Sequence, residues 1–331
     1  MTGSDSVFFD DGLLPGKTYT YTLASSKWNA SAQATTMDTT SHNWTWEVDT
    51  LGIANSYLYD IAILNDTLAY AVGYIYLNDS TGKFDQQPYG VAVWNGARWQ
   101  FKRVMAIGPT GAVSNLTPSG ILAFSAADIW FANGGVFSWD GQSQNANPYW
   151  INAFQGNSSP ILSEGQTAEK LFGSSDQSLY AVGLSGALAH YNGKSWQQIR
   201  TNLTTEIHDV WGGSNPAVGN NVVLSTMCNK YYYGDTRVLR LSSSGALDSI
   251  PWGMQFNPPY SVWFTSTSQV YVCGGGIFRF QNGAWISMVN GLPPIFANRV
   301  RGNGDNDLVV AGDFGVVAHF NGVSWQVYNQ L

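Results

Sequence analysis

Charge is what this sequence has least of: Lys, Arg, Asp and Glu make up 11% of its 331 residues. What charge there is leans acidic, 15 Lys plus Arg against 22 Asp plus Glu, for a net of −7. The long-range attraction that draws proteins to nucleic acid or anionic membranes therefore has the wrong sign. Two cysteines, Cys228 and Cys273, are too few to build a disulfide-dense fold. No apolar run approaches the roughly 20 residues of a membrane-spanning helix, so membrane insertion is not expected. No long stretch places apolar residues 3.6 apart, which argues against a helical solenoid. Met1–Ser6 has neither the basic nor the apolar region of a secretory signal.

What the chain does carry is aromatic residues, 14% of the total, and 36 glycines. They meet in one recurring phrase: aromatic, Asn or Asp, Gly, and usually a Trp. Copies stand at Trp94–Trp99, Trp139–Gly141, Tyr191–Trp196, Phe280–Trp285 and Phe320–Trp325, with a degenerate one at Arg240–Gly245. Asn-Gly and Asp-Gly adopt the left-handed backbone of a two-residue hairpin turn, and flanking aromatics pack across strands. Each copy thus predicts a β-hairpin. Its turn glycine is Gly96, Gly141, Gly193, Gly245, Gly283 or Gly322, and Trp99, Trp196, Trp285 or Trp325 follows in four of them.

The turns recur at steps of roughly 40 to 50 residues, the period of a propeller blade. Ahead of each lies an apolar phrase ending in Gly, such as Leu68–Gly73, Leu179–Gly183, Val270–Gly274 and Leu308–Gly312, which reads as a buried strand. Asp128–Ala132 is the same strand with its Gly displaced. An inner strand precedes each of these, and another follows each turn, making four per repeat. The expected fold is all-β: a β-propeller of four-stranded blades. Complete blades are expected at 56–108, 118–155, 167–204, 206–255, 259–290 and 295–330. Asn43–Thr50 reads as a lone outer strand. It is either an added edge of a six-bladed ring or, the favoured reading, part of a seventh blade without its inner three strands. The propeller is expected over 39–331, and residues 1–38 form a hairpin and linker.

In that first segment, Leu13–Leu23 alternates after a Pro-Gly turn and Ala30–Thr36 alternates again. This resembles the last two strands of a fibronectin type III domain, whose penultimate strand opens on a similar Leu-x-Pro-Gly-x-x-Tyr-x-Tyr. Two strands cannot bury a sandwich core, so the chain is expected to begin inside a longer protein, or else the hairpin packs on the propeller's flank. Thr35–Trp46, Leu58–Ile63, Ala71–Gly73, Ile75–Ser80 and Ala311–Trp325 together resemble a family of exported bacterial β-propeller proteins of Bacteroidota and Ignavibacteria type. Relatives of that type continue for about three more strands. The resemblance implies a fibronectin-like segment before a propeller. It also implies an extracellular or cell-surface location, with the export signal upstream, and it implies no activity.

Candidate chemistry is sparse. His190 and His319 occupy matching places before a turn and read as repeat architecture. His208, beside Asp209, either faces a channel or stabilises a blade, and His42 falls in the linker. Asp79, Thr81 and Asp85 could offer oxygens to Ca²⁺, yet the loop lacks the Gly and Glu of an EF-hand and also reads as a long hairpin. No other cofactor is expected. Gly274–Gly276 has no following helix or Lys and is not a phosphate loop. Arg103, Arg200, Arg237, Arg240, Arg279, Arg299 and Arg301 follow no sialidase-like pattern. Cys273 replaces Val72 and Val182 of other repeats and reads as a buried thiol; a bridge to Cys228 is the alternative. Asn29, Asn43, Asn65, Asn78, Asn115, Asn157 and Asn202 stand in Asn-x-Ser/Thr sites. No catalytic set emerges. The favoured function is a non-catalytic structural, adhesion or assembly module whose partners are other copies or surface proteins, self-associating through open strand edges. The alternatives are a carbohydrate-binding propeller using its Trp faces on glycans, and a hydrolase or lyase with residues in the channel.

Overall fold

The computed structural model describes all residues except 1–9, 11–12, 109–110, 150, 153–159, 216–218, 228–235, 251, 254–257, 266–268, 291, 293–295 and 329–331. Strands account for almost all of its regular structure. A hairpin pairs β1 (Thr18–Ala24) with β2 (Asn29–Thr35). The first sheet runs β3 (Tyr57–Asn65), β4 (Leu68–Ile75), β5 (Tyr89–Trp94), β6 (Trp99–Lys102). The second contains β7 (Met105–Ile107), β8 (Val113–Asn115), β9 (Gly120–Ser125), β10 (Asp128–Asn133), β11 (Gly135–Trp139) and β12 (Asn145–Tyr149), in the order β8-β7-β12-β11-β10-β9. The third is β13 (Thr167–Ser175), β14 (Ser178–Leu184), β15 (Leu188–Tyr191), β16 (Trp196–Gln198). The fourth is β17 (Ile207–Asn215), β18 (Gly219–Met227), β19 (Arg237–Leu241), β20 (Leu247–Ile250). The fifth is β21 (Pro259–Trp263), β22 (Val270–Gly274), β23 (Ile277–Gln281), β24 (Ala284–Ser287). The sixth is β25 (Ala297–Gly304), β26 (Asp307–Gly312), β27 (Val317–Phe320), β28 (Trp325–Tyr328). Repeated four-stranded antiparallel meanders of this kind are the blades of a β-propeller.

Two expectations about strands change. Met105–Ile107, placed at the end of the first blade, leaves it and pairs in parallel with β12 of the second sheet. Asn43–Thr50 forms no strand. Its first part is held by side-chain packing instead: Trp44 stacks on Tyr328 at 5.7 Å, and the Tyr328 hydroxyl donates to the His42 carbonyl at 2.9 Å.

The Gly that ends the second strand of a repeat has a steric cause. A Cβ on Gly73, Gly183 or Gly312 would lie 1.9, 2.2 or 2.4 Å from a carbonyl oxygen of the paired inner strand. Only Gly lets the two backbones approach so closely.

The chain divides into two compact units, one of Met1–Trp46, Ser214–Gly219 and Trp263–Leu331, the other of Glu47–Gly213 and Asn220–Val262. In the second unit each of the first three sheets lays one face, here called its back, on the front of the next. The back of the first sheet, with Ala62, Leu64, Tyr70 and Val72, is covered by Ile121, Ile129, Phe131 and Trp139. The back of the second, with Trp130 and Ala132, is covered by Leu171, Leu179, Ala181 and Ala189. The back of the third, with Val182 and Leu188, meets Val210, Leu239 and Leu241. Each large side chain so buried contributes about 1.5–3 kcal/mol, which makes these faces the core.

Candidate interaction surface

The front of the first sheet departs from this repeat. Ile61, Ile121, Leu171 and Val300 hold one register position, paired with Ala71, Phe131, Ala181 and Val310. Ile121, Leu171 and Val300 are 5%, 9% and 0% exposed, whereas Ile61 is 53% exposed. Ile63, two residues on, is 70% exposed; Tyr57 and Tyr59, on the far side of a bulge between Leu58 and Asp60, are exposed on the same strand. The outer half of the same face is closed. Residues 47–53 lie over it, with the Trp99 indole donating to Asp49 at 3.0 Å and the Ile53 amide to the Tyr76 carbonyl at 2.9 Å. Leu51 packs on Ala71, Ile75 and Ala92. What stays open is the inner strand.

Two further features of the first unit present apolar groups to solvent. Register places Tyr19, Tyr21 and Leu23 of β1 opposite Ala34, Ala32 and Ala30 of β2, so one hairpin face is apolar. The other face is polar, tied by Thr18 to Thr35 at 2.8 Å. Phe314 is 99% exposed at φ +61°, a left-handed conformation unfavourable for a bulky side chain.

A polar cavity of about 290 Å³ in the first unit is lined by Arg279, Gln281, Asp305, Asn306, Met37 and Asp38, among others. The Tyr271 hydroxyl donates to Asp305 at 2.8 Å and the Gln269 amide at 3.1 Å. Burial pushes the Asp305 carboxyl and the Tyr271 hydroxyl up from their ordinary values. These bonds join β22 and the loop before it to the end of β25.

Beside the cavity lies a cluster that sequence reasoning missed. His319 Nε2 meets Asp307 Oδ1 at 3.1 Å, His319 Nδ1 meets His42 Nδ1 at 2.9 Å, and His42 Nε2 meets Ser324 Oγ at 3.3 Å. One proton arrangement satisfies all three. His319 donates Nε2–H to the carboxylate, His42 donates Nδ1–H to His319, and the Ser324 hydroxyl donates to His42. Burial holds the His319 imidazole below its ordinary value, against the pull of Asp307. The order Ser-His-His-Asp invites comparison with a nucleophile relay, but the Val323 and Ser324 amides both donate to Asn321 Oδ1. Neither is left to stabilise an oxyanion there. The cluster fastens residues 40–44 to the sixth sheet: Trp44 packs on His319 at 4.2 Å, and Thr40 donates to the Asn306 carbonyl. His319 is therefore a partner of His42 as well as a feature of its repeat. Two histidines 277 residues apart in sequence carry no local signal of this pairing.

The other histidines are structural neighbours of strands. His190 meets the Ser178 hydroxyl at 3.1 Å, and His208 stacks on Tyr260 at 4.2 Å with Nδ1 3.4 Å from Glu206. Asp209 accepts the Ser261 hydroxyl and the Val262 amide.

The proposed calcium oxygens are engaged within the protein. Asp79 accepts from the Thr81 amide and hydroxyl and the Lys83 amide, and Asp85 pairs with Arg103. Among the described residues no three His, Cys, Asp or Glu side chains converge as metal ligands. The loop is a side-chain-stabilised turn. Cys273 is buried, its thiol donating to the Ala297 carbonyl at 3.3 Å; Cys228, Asn157 and Met1–Ser6 lie outside the described residues.

Gly96, Gly141, Gly193, Gly245, Gly283 and Gly322 all have positive φ, between +76° and +96°. The turns themselves differ from the two-residue form expected. Trp94 pairs with Trp99, Tyr191 with Trp196 and Phe320 with Trp325, so each loop holds four residues. Asn95, Asn192 and Asn321 organise them by accepting amide bonds two and three residues on. Of these six, only Asn282-Gly283, between paired Gln281 and Ala284, is a two-residue turn with both φ positive. The Trp after each turn packs on its cross-strand aromatic, at 5.7 Å for Trp99, 5.4 Å for Trp196, and 5.0 Å for Trp285 and Trp325.

No protein-family model and no curated protein matches the chain. Among solved structures it is similar to YCF48 bound to D1 peptide, at a TM-score of 0.55 and 12% identity over 84% of this chain and 82% of that one. It is also similar to the computationally designed Ika8 protein, at a TM-score of 0.50 and 14% identity over 83% and 86%. At this identity the likeness is one of fold: the chain carries a β-propeller.

Proposed function

We propose that this protein is a non-catalytic, exported β-propeller that works at the cell surface as a structural, adhesion or assembly module, with other proteins as its partners. The observation that carries the reading is the exposure of Ile61 and Ile63 on the front of the first sheet, with exposed Tyr57 and Tyr59 on the same strand. The equivalents of Ile61 elsewhere in the chain, Ile121, Leu171 and Val300, are buried, and exposed apolar side chains grouped on one strand mark an interaction site. Phe314 and the apolar face of a fibronectin-like N-terminal hairpin add to it. A protein of the same fold, YCF48, is bound to a peptide in its structure. The repeated tryptophans, the basis for a glycan-binding reading, are packed against cross-strand aromatics.

Selection of a displayed peptide library on the intact protein tests the reading. Peptides that bind the wild type and lose about tenfold or more in affinity to Ile61→Asp/Ile63→Asp are expected. A library that yields none, together with glycan-array hits indifferent to that variant, would transfer the function to carbohydrate.

A further inference from the structure

Six Asn-Gly pairs lie wholly within the described residues, beginning at Asn95, Asn133, Asn192, Asn282, Asn303 and Asn321. Their chemistry is shared. Glycine has no side chain to shield its amide nitrogen, so that nitrogen can close on the carboxamide carbon of the preceding Asn. In five of the six the fold holds one reacting group elsewhere. Asn95 Oδ1 accepts the Ala97 and Arg98 amides, Asn192 Oδ1 those of Lys194 and Ser195, and Asn321 Oδ1 those of Val323 and Ser324. Asn303 Nδ2 donates to Asp307 at 2.7 Å. After Asn133 it is the nucleophile that is engaged, the Gly134 amide donating to the Ala168 carbonyl at 3.0 Å. Asn282 differs: among the described residues neither its side chain nor the Gly283 amide has a hydrogen bond. Both residues are exposed, and a Cβ on Gly283 would meet nothing within 4 Å.

We infer that Asn282 is a site of spontaneous covalent modification, a deamidation that hydrogen bonds hold back at the other Asn-Gly pairs. It proceeds without a partner or an enzyme. The Gly283 nitrogen gives up its proton to water and bonds to Asn282 Cγ; the Cγ–Nδ2 bond breaks, and ammonia leaves with a proton in return. Water then opens the five-membered imide at either carbonyl. One opening leaves Asp, the other an isoaspartate whose main chain runs through Cγ. Either product turns a neutral carboxamide into a carboxylate, one more negative charge on an already acidic chain. Isoaspartate does more, because it adds a carbon to the backbone of a loop in which two residues span from Gln281 to Ala284. The Phe280–Trp285 contact at 5.0 Å adjoins that loop and should loosen with it. Exposure does not set Asn282 apart from Asn95, since both are exposed. The difference is the two amide bonds that Asn95 must break before its carboxamide can turn.

Peptide mapping by mass spectrometry tests this on the full chain, held in warm, mildly alkaline buffer with its fold checked by circular dichroism. Asn282 is expected to convert about tenfold or more faster than Asn95, Asn192 and Asn321, the difference that two hydrogen bonds make. A parallel incubation in concentrated urea removes those bonds and keeps the sequence, and there the four rates should converge. Asn282→Ser is expected to abolish the early product and leave the slow ones unchanged. An Asn282 that converts no faster than the other three in the folded chain, or one that keeps its full lead in urea, overturns the inference.

Discussion

The carboxylate of Asp209 takes the Ser261 hydroxyl at 2.6 Å and the Val262 amide at 3.2 Å, joining the inner strand of one sheet to that of the next. Asp60 does the same for Ile121, accepting its amide at 3.1 Å, and adds an ion pair to Lys170 at 3.1 Å. A charged acceptor on an inner strand is thus a recurring tie between neighbouring sheets. Asp209→Ala leaves two buried donors without that acceptor, and a loss of about 2–4 kcal/mol is expected. Asp209→Asn keeps an acceptor oxygen and should lose less than half as much. Urea unfolding of the two variants checks the order; equal stabilities would deny the tie.

Below neutral pH the histidine cluster should weaken. Burial sets His319 under its ordinary 6.5, so the folded state takes up protons less readily than the unfolded chain. Its contribution is therefore complete above pH 6.5 and lost as pH falls through the depressed folded value. Protonation also destroys the acceptor that His42 requires, while Thr40, Asp307, Trp44 and Tyr328 remain around it. Thermal melts across that range should show a slope for the wild type and a flatter one for His319→Gln. An identical slope in both would place the proton elsewhere.

Gly141 and Gly283 have nearly the same φ, +76° and +78°, but not the same surroundings. A Cβ on Gly283 meets nothing within 4 Å, while one on Gly141 lies 2.1 Å from the Ala126 carbonyl. Gly283→Ala should cost about 1–2 kcal/mol for the left-handed backbone alone. Gly141→Ala adds the clash and should cost clearly more, as chemical denaturation will read.

Phe314 runs the other way. Its side chain is exposed and its backbone left-handed, so Phe314→Gly is expected to hold or raise stability by up to about 1 kcal/mol. A drop of comparable size would mean that the ring packs in solution.

The four-strand repeat was legible because its signals are local: an Asn-Gly or Asp-Gly turn, a Trp beyond it, and an apolar strand ending in Gly. Gly73 even states its reason, since no other residue fits against Tyr57. The turn length was less legible, because an Asn side chain that caps two amides looks in sequence like an Asn in a two-residue turn. Asn43–Thr50 has strand composition, yet Trp44 is held by ring packing on His319 and Tyr328. The pairing of His42 with His319 depends on where a linker comes to rest. Least legible was the open face: Ile61 and Ile121 are the same residue at the same register, and only the neighbouring sheet distinguishes them.

Hydroxyl-radical footprinting of the full chain at low concentration compares those two positions directly. Ile61, Ile63, Tyr57 and Tyr59 should be modified about tenfold or more faster than Ile121, Leu171 and Val300, in line with their exposure. Protection of Ile61 equal to that of Ile121 in the isolated monomer would mean that the face is already closed and offers nothing to a partner.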